Sequence, residues 1–286
     1  MENIKIRNAF LKAEISCDGA ELISVADMDG NDFLWCGDSS IWSGHAPVLF
    51  PICGALKDGK YTWQGKEFKL EKHGFIRHKK FECVKSSENS AEFRYVSDES
   101  TKESYPFDFE FSVRFELEEN NMRITYLTVN KSDCPMYFSC GAHEAYACPE
   151  GIEEYSVSFE NDSVLDLYRS INAGILEENS TPLPLDNGSL HLEKKMFEND
   201  ALIFKNHKSR KICLSKNGGG RKITVDFNGF DYLLIWTKPE GDYICLEPWT
   251  GIPDSTSSKG ILAEKEGITR LEIGKTFDVT HIITFE

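Results

Sequence analysis

The sequence predicts a mainly β protein that folds as one large antiparallel β-sandwich, and three features of the 286-residue chain support this. Short runs of alternating apolar and polar residues recur along the chain, which is the pattern of half-buried strands. Asp and Gly residues separate these runs at the spacing of hairpin turns. No long run of helical periodicity, internal repeat or linker-like change of composition interrupts the pattern, so we expect a single domain over residues 1–286.

The individual elements follow from the same alternation. The strongest signal is the hairpin of residues 107–117 and 122–129, whose two alternating runs flank a turn rich in Glu and Asn. Three further elements are expected. They are a hairpin that turns at Gln64-Gly65, a helical turn at 100–105, and a polar hairpin loop at Asn217-Gly-Gly-Gly220. The remaining strands are expected at residues 4–6, 10–15, 21–27, 33–35, 81–85, 91–96, 152–160, 163–168, 202–204, 211–214, 221–227, 232–236, 243–246, 269–273 and 281–285.

Charge and hydropathy exclude two classes of partner. The chain has 32 Lys and Arg against 47 Asp and Glu, a net charge of −15, whereas nucleic acids and anionic membranes attract basic surfaces. No segment approaches the ~18 consecutive apolar residues of a membrane span, and the start of the chain lacks the apolar stretch of a signal peptide, so we expect a cytoplasmic protein. The nine cysteines form no Cys-x-x-Cys pair, so we expect buried free thiols rather than a zinc ribbon or a redox site.

The segment 242–253 is the first candidate for a functional site. An apolar run predicts a buried strand that ends or bends at Pro248, because proline has no N–H for a sheet ladder. This places the carboxylate of Glu247 at a strand terminus beside the indole of Trp249. Such a pair suits a neutral, hydroxyl-rich ligand, whose C–H face can stack on the indole. The alternative is structural, with Glu247 in a salt bridge and Trp249 in the core.

Two histidines lie in a context that suits a ligand. His73 and His143 occur as Lys-His-Gly and Gly-Ala-His, and a glycine beside them allows a ligand to approach the backbone. Each can equally be a structural imidazole. The sequence contains neither a His-Glu-x-x-His metal motif nor a Gly-x-Ser-x-Gly elbow. Proton transfer by His and Glu, without metal or cofactor, is the chemistry that remains.

Taken in order, these segments resemble the aldose 1-epimerase (galactose mutarotase-like) family, and in particular its bacterial LacX-like branch. The resemblance implies the galactose mutarotase-like supersandwich fold, an aldohexose-type sugar as substrate, a sugar site on a concave sheet face, and no cofactor. It covers nearly the whole chain and is carried by Leu34-Trp35, Pro47-Val-Leu-Phe-Pro-Ile52, His73-Gly-Phe-Ile-Arg77, Gly141-Ala-His143, Asp200-Ala-Leu-Ile-Phe204, Leu234-Ile-Trp236 and Cys245-Leu-Glu-Pro-Trp249.

The resemblance also implies a role for each matching side chain. Glu247 corresponds to the general base that takes the proton of the anomeric hydroxyl. His143 corresponds to the general acid that protonates the ring oxygen, and His73 to a second histidine that binds and polarises the sugar. Asp200 matches, more loosely, an aspartate that holds sugar hydroxyls.

One position departs from the family pattern. An arginine that family members usually carry is replaced by Ala55, and alanine cannot supply the forked donors of a guanidinium. Lys57, Arg77 and His45 are the side chains we expect to compensate. Together with Trp249 and Asp200, Arg77 and Lys57 complete the predicted substrate-binding set.

Three other functions stay open at this point. A protein of the same fold could bind sugar without catalysis, which the loss at Ala55 favours. A hexose-phosphate 1-epimerase would need a local basic pocket in an acidic protein. A glycoside hydrolase would use Glu247 with a second carboxylate such as Asp200, at a defined separation. For the oligomeric state we expect a monomer or a homodimer.

Overall fold

A computed structural model describes residues 3–171 and 174–286, and it confirms the predicted class, since the chain is mostly antiparallel β-structure. None of its described helices is long and apolar enough to span a bilayer. The strands are β1 (Asn3–Arg7), β2 (Leu11–Ser16), β3 (Leu22–Asp27), β4 (Lys60–Trp63), β5 (Lys66–Lys69), β6 (Glu82–Ser86), β7 (Ser90–Val96), β8 (Phe109–Glu118), β9 (Asn121–Asn130), β10 (Met136–Phe138), β11 (Glu144–Ala147), β12 (Tyr155–Phe159), β13 (Val164–Tyr168), β14 (Ser170–Ile171), β15 (Ile175–Leu176), β16 (Thr181–Pro184), β17 (Ser189–His191), β18 (Leu202–Phe204), β19 (Lys211–Lys216), β20 (Lys222–Asp226), β21 (Tyr232–Trp236), β22 (Tyr243–Trp249), β23 (Thr269–Leu271) and β24 (Thr276–Phe285).

Helical structure is confined to short segments in the described part of the chain. One α-helical turn, α1 (Glu99–Lys102), lies where a helical turn was predicted, and the side chain of Asp98 caps it by accepting from the N–H of Thr101. Five single 3₁₀ turns connect strands, at Lys57–Gly59, Ile76–His78, Ile152–Glu154, Lys194–Phe197 and Leu262–Glu264.

Two large sheets dominate the described architecture. The larger has nine strands in the order β17-β12-β19-β20-β24-β9-β8-β7-β6, and the smaller has six in the order β11-β22-β21-β18-β13-β16. The hairpin predicted over residues 107–129 is the β8–β9 pair of the nine-stranded sheet, and it places Phe109, Phe111 and Phe115 in the core. The two sheets face each other, because Nε2 of His281 on β24 lies 3.0 Å from Oε1 of Glu144 on β11.

Several predictions for single elements are wrong, each for a local reason. Residues 33–35 form only an isolated bridge, between Leu34 and Tyr146, and not a strand. Strands β10, β11 and β14–β17 were missed because they are only two to four residues long, too short to show alternation. The expectation of buried thiols is confirmed for five cysteines, which are Cys17, Cys53, Cys140, Cys148 and Cys245. It is wrong for the exposed Cys36, and Cys83, Cys134 and Cys213 are only half-buried.

The strand that carries Glu247 also differs from the prediction. β22 does not end at Pro248 but continues to Trp249, which pairs with Tyr232 on β21. Pro248 is tolerated because the ladder between β22 and β11 ends at Leu246, so no ladder bond needs an N–H from the proline. The carbonyl of Pro248 still accepts from the N–H of Ala142 at 3.0 Å. Glu247 therefore lies inside the strand and not at its end.

Candidate active site

The register of two neighbouring strands brings His143 and Glu247 together. Glu144 on β11 pairs with Leu246 on β22, and continuing this antiparallel register by one residue places His143 opposite Glu247. Their side chains meet with 3.3 Å between Nε2 and Oε2. Alternation along a strand sends the neighbouring Glu144 and Leu246 to the opposite face, into the core between the sheets. The His143–Glu247 pair consequently stands on the outer face of the six-stranded sheet.

Glu247 is held in a dry environment. Its side chain is 2% exposed, and it lies opposite Leu234 on the central strand β21. Burial raises the pKa of this carboxyl well above its ordinary value, because a carboxylate loses its hydration there. The charge of Lys72 opposes this rise, whereas Asp200 and Glu144 add to it. The proton affinity of Glu247 is thus greater than that of a surface glutamate.

Aromatic rings enclose His143. Its imidazole stacks on the indole of Trp42, with 5.3 Å between ring centroids, and meets the edge of Trp236 at 5.6 Å. The pKa of His143 is lowered to about 3, chiefly by burial and to a lesser extent by the charges of Lys72 and Arg77. The opposite pKa shifts of His143 and Glu247 mean that burial favours the neutral form of each group, with a proton on the carboxyl rather than on the imidazole.

His73 reaches the same place from an unusual backbone conformation. Its φ is +69°, and the next residue, Gly74, must be a glycine because a Cβ there would lie 2.3 Å from the carbonyl oxygen of Phe50. The N–H of Gly54 donates to Nδ1 of His73 at 3.2 Å. Burial lowers the pKa of His73 well below its ordinary value, so the ring is neutral and Nε2–H is its donor.

A cavity of about 470 Å³ lies over these three side chains. Arg77, Asp200 and Trp249 also line it, so the structure brings together six of the seven predicted site residues. Trp249 is fixed by a hydrogen bond from its Nε1 to the carbonyl of Ala142 at 3.0 Å, and the edge of its ring system meets His73 at 5.3 Å. Its buried indole is a wall of the cavity as well as part of the core.

Lys57 is the predicted site residue that the structure does not bring to the cavity. Its Nζ donates to the backbone carbonyls of Thr256 and Ser258, at 2.7 and 3.4 Å, so its ammonium is already bound elsewhere. The cations that do line the cavity are Lys72 and Arg77. His45, also considered as a compensating residue, does not line it and faces Glu21 instead.

Sequence reasoning missed several residues of the cavity wall. Lys72, Glu21, Trp42 and Trp236 all line the cavity. A signal existed for Lys72, because it directly precedes His73. Trp42 lies in a segment without strand periodicity, and its stacking on His143 depends on long-range packing that no local pattern reveals.

One group of donors among the described residues could hold a metal ion. Ligand atoms of His143, Cys245 and Glu247 lie within 4.8 Å of one another, and Zn²⁺ accepts all three ligand types. His143 and Glu247 are also the side chains that suit proton transfer. They cannot bind a metal ion and act as free acid–base groups at the same time. Metal-free chemistry remains a prediction.

The comparisons with known proteins agree with this fold. The family model for aldose 1-epimerase matches residues 2–261. The chromosomal LacX protein of Lactococcus lactis is 31% identical, over 97% of this chain and 98% of that protein. A galactose mutarotase related enzyme from Lactobacillus acidophilus superposes with a TM-score of 0.95 at 32% identity, covering 100% of this chain and 97% of that one. A galactose mutarotase-like protein from Lactobacillus casei gives a TM-score of 0.91 at 26% identity, with both chains fully covered.

These likenesses define the class of the molecule as a galactose mutarotase-like β-supersandwich. More closely, the chain belongs to the aldose 1-epimerase family, and LacX proteins are among its relatives.

Proposed function

We propose that this protein interconverts the α and β anomers of an aldose by metal-free acid–base catalysis. The observation that carries the proposal is the 3.3 Å contact between Nε2 of His143 and Oε2 of Glu247, beneath a cavity of about 470 Å³. That volume falls within the range of small-molecule sites, which is about 300–1,000 Å³. Family membership supports a carbohydrate as the ligand.

Anomer exchange needs one base and one acid on the two oxygens of the anomeric centre. Glu247 as carboxylate takes the proton from O1, and the C1–O1 bond becomes a carbonyl while the bond from C1 to the ring oxygen breaks. His143 as imidazolium gives its proton to the ring oxygen. Rotation about C1–C2 then presents the other face of the aldehyde, and the two proton transfers run in reverse.

The proton count of the pair stays constant through this cycle. In the cyclic sugar complex the proton of the pair lies on His143, and in the open-chain complex it lies on Glu247. The pKa shifts of the sugar-free protein favour the second arrangement, because burial stabilises two neutral groups. The site is therefore predisposed to the protonation state of the open-chain intermediate. His73 supplies a neutral Nε2–H that can donate to a sugar oxygen.

The test is anomer exchange itself. Freshly dissolved α-glucose and α-galactose should reach anomeric equilibrium faster with the protein than in buffer alone, as followed by polarimetry or by NMR exchange between the anomeric protons. A protein that binds these sugars in calorimetry but never accelerates exchange would instead be a carbohydrate-binding member of the family.

A hexose phosphate is the second candidate substrate. Arg77 and Lys72 both line the cavity and are cations that can bind a phosphate. Glu21 and Asp200, which also line the cavity, oppose a dianion, which favours a neutral sugar. Parallel assays on glucose and glucose 6-phosphate separate the two.

A further inference from the structure

Lys72 occupies a position on the cavity wall that the acid–base chemistry does not explain. It directly precedes His73, and its Nζ lies 3.7 Å from Oδ2 of Asp200. The same oxygen of Asp200 accepts a hydrogen bond from Oγ of Ser170 at 2.9 Å. Asp200 has a φ of +76°, a strained conformation for a residue other than glycine, and such strain often accompanies function.

Two small residues, Gly174 and Ala55, lie beside the side chain of Lys72. A Cβ built on Gly174 would lie 3.4 Å from both Cε and Nζ of Lys72, and 3.7 Å from Cβ of Ala55. Gly174 has a φ of +89°, so glycine is favoured there for its backbone as well. Lys72 therefore fills the wall beside Ala55 and Gly174, with its head directed toward Asp200.

The Lys72–Asp200 pair contributes little to the stability of the fold. The two side chains are 46% and 34% exposed, and ion pairs of that exposure stabilise proteins by about 0–1 kcal/mol. A lysine and an aspartate whose polar heads face a cavity are, however, well suited to a ligand with neighbouring hydroxyl groups. The ammonium donates to one hydroxyl oxygen, and the carboxylate accepts from the other hydroxyl.

We propose that Lys72 is a further sugar-binding residue, whose ammonium donates to the hydroxyl group next to the one that Asp200 holds. The 3.7 Å pair of Lys72 and Asp200 on the lining of the cavity carries this inference. It rests on the proposed function for the identity of the ligand. Lys72 is a binding residue in it, since proton transfer stays with Glu247 and His143.

The decisive variant is Lys72→Met, which keeps the apolar stem and removes the donors and the charge. We expect KM for galactose or glucose to rise about tenfold, because a hydrogen bond from a charged donor is lost, while kcat changes less than threefold. Lys72→Arg, which keeps a charged donor, should restore KM, and Lys57→Met, which alters a lysine outside the cavity, should leave it unchanged.

Deoxy sugars show whether hydroxyls are the target. In the wild type, the 2-, 3- or 4-deoxy sugar that lacks the hydroxyl bound by Lys72 should bind about tenfold more weakly, and in Lys72→Met that difference should vanish, whereas the loss for the hydroxyl bound by Asp200 should remain. A folded Lys72→Met protein with unchanged KM and an unchanged response to every deoxy sugar would overturn the inference. Calorimetric titration with the same sugars separates this from the proposed function: weaker binding by Lys72→Met in a protein without exchange activity would sustain Lys72 as a sugar ligand and refute the epimerase.

Discussion

His143 and Glu247 lie directly opposite each other in the continued register of β11 and β22, and their side chains meet at 3.3 Å on one face of the sheet. The contact is fixed by strand pairing and not by a mobile loop. A slip of either strand by one residue would turn that strand's own side chain, His143 or Glu247, to the core face and break the contact. Precise spacing of two proton carriers is what acid–base catalysis requires, so the fold itself sets the geometry of the site.

Replacing Glu247 tests the base directly. Glu247→Gln keeps the size of the side chain but removes its ability to accept a proton, so kcat for anomer exchange should fall roughly 10²–10⁴-fold, about 3–5 kcal/mol of barrier. Sugar affinity measured by calorimetry should change little. Near-normal turnover of this variant would refute the assignment.

The partner residue gives a test of coupling. His143→Asn should lower kcat by a factor comparable to that of Glu247→Gln. The double variant should lose much less than the product of the two factors, because both groups serve the same proton transfer. If the two losses multiplied instead, the side chains would act independently, in conflict with their 3.3 Å contact.

The pH profile follows from the single proton of the pair. Activity is lost at low pH when the pair gains a second proton, and burial sets this step low by reducing the pKa of His143 to about 3. It is lost at high pH when the last proton leaves, and the raised pKa of Glu247 delays that step. We expect a plateau of kcat/KM around neutral pH, measured from about pH 4 to about pH 9 against buffer blanks. A loss of kcat/KM on the acid side near pH 6.5, the ordinary imidazole pKa, would contradict this account of the pair.

The departure at Ala55 leads to a prediction that includes Lys72. A Cβ built on Gly174 would contact both Ala55 and Lys72, so a long cation at position 55 would compete with Lys72 for the same wall. Ala55→Arg alone should therefore raise KM or leave it unchanged. Ala55→Arg combined with Lys72→Ser should recover at least half of the affinity lost in Lys72→Ser alone. Failure of the double variant to bind better than Lys72→Ser, by calorimetry, would show that the two positions do not share one role.

Metal chemistry can be tested at the same site. Exhaustive treatment with EDTA should leave anomer exchange unchanged, whereas added Zn²⁺ should inhibit it, because His143 and Glu247 are donors in the candidate metal group. Cys245→Ser should weaken this inhibition, and Cys36→Ser, which alters an exposed thiol, should not. Activity that disappears with EDTA and returns with Zn²⁺ would mean that the three donors form a required metal centre.

The sequence predicted those parts of the molecule that depend on local patterns. Alternation in the 107–129 hairpin predicted β8 and β9, and Gly residues beside His73 and His143 marked two of the cavity residues. The contact between His143 and Glu247 could not be read from alternation, because it depends on which strands pair. Lys57 was misplaced because a lysine can extend in many directions, and backbone carbonyls of the loop at 256–258 bind it.

The wall of the cavity beside Pro253 gives a prediction about stability. Nζ of Lys265 donates to the carbonyl of Ile252 and, at 2.9 Å, to Oδ1 of Asp254, and both charged side chains are only 3% exposed. Asp254 also accepts from the N–H of Lys57 at 3.0 Å, so this buried pair holds the 252–254 segment against the start of the 3₁₀ turn at Lys57–Gly59.

Lys265→Met keeps the hydrophobic stem of the side chain and removes its ammonium. The buried carboxylate of Asp254 therefore loses its counter-charge. The free energy of unfolding, measured by urea denaturation, should fall by about 3–5 kcal/mol. The matched control is Lys259→Met, whose pair with Glu264 is 74% and 53% exposed, and it should cost less than about 1 kcal/mol. Asp254→Asn in the Lys265→Met background should recover part of the loss, since the asparagine carries no charge to desolvate. Equal losses for Lys265→Met and Lys259→Met would show that the buried pair is not what anchors this wall.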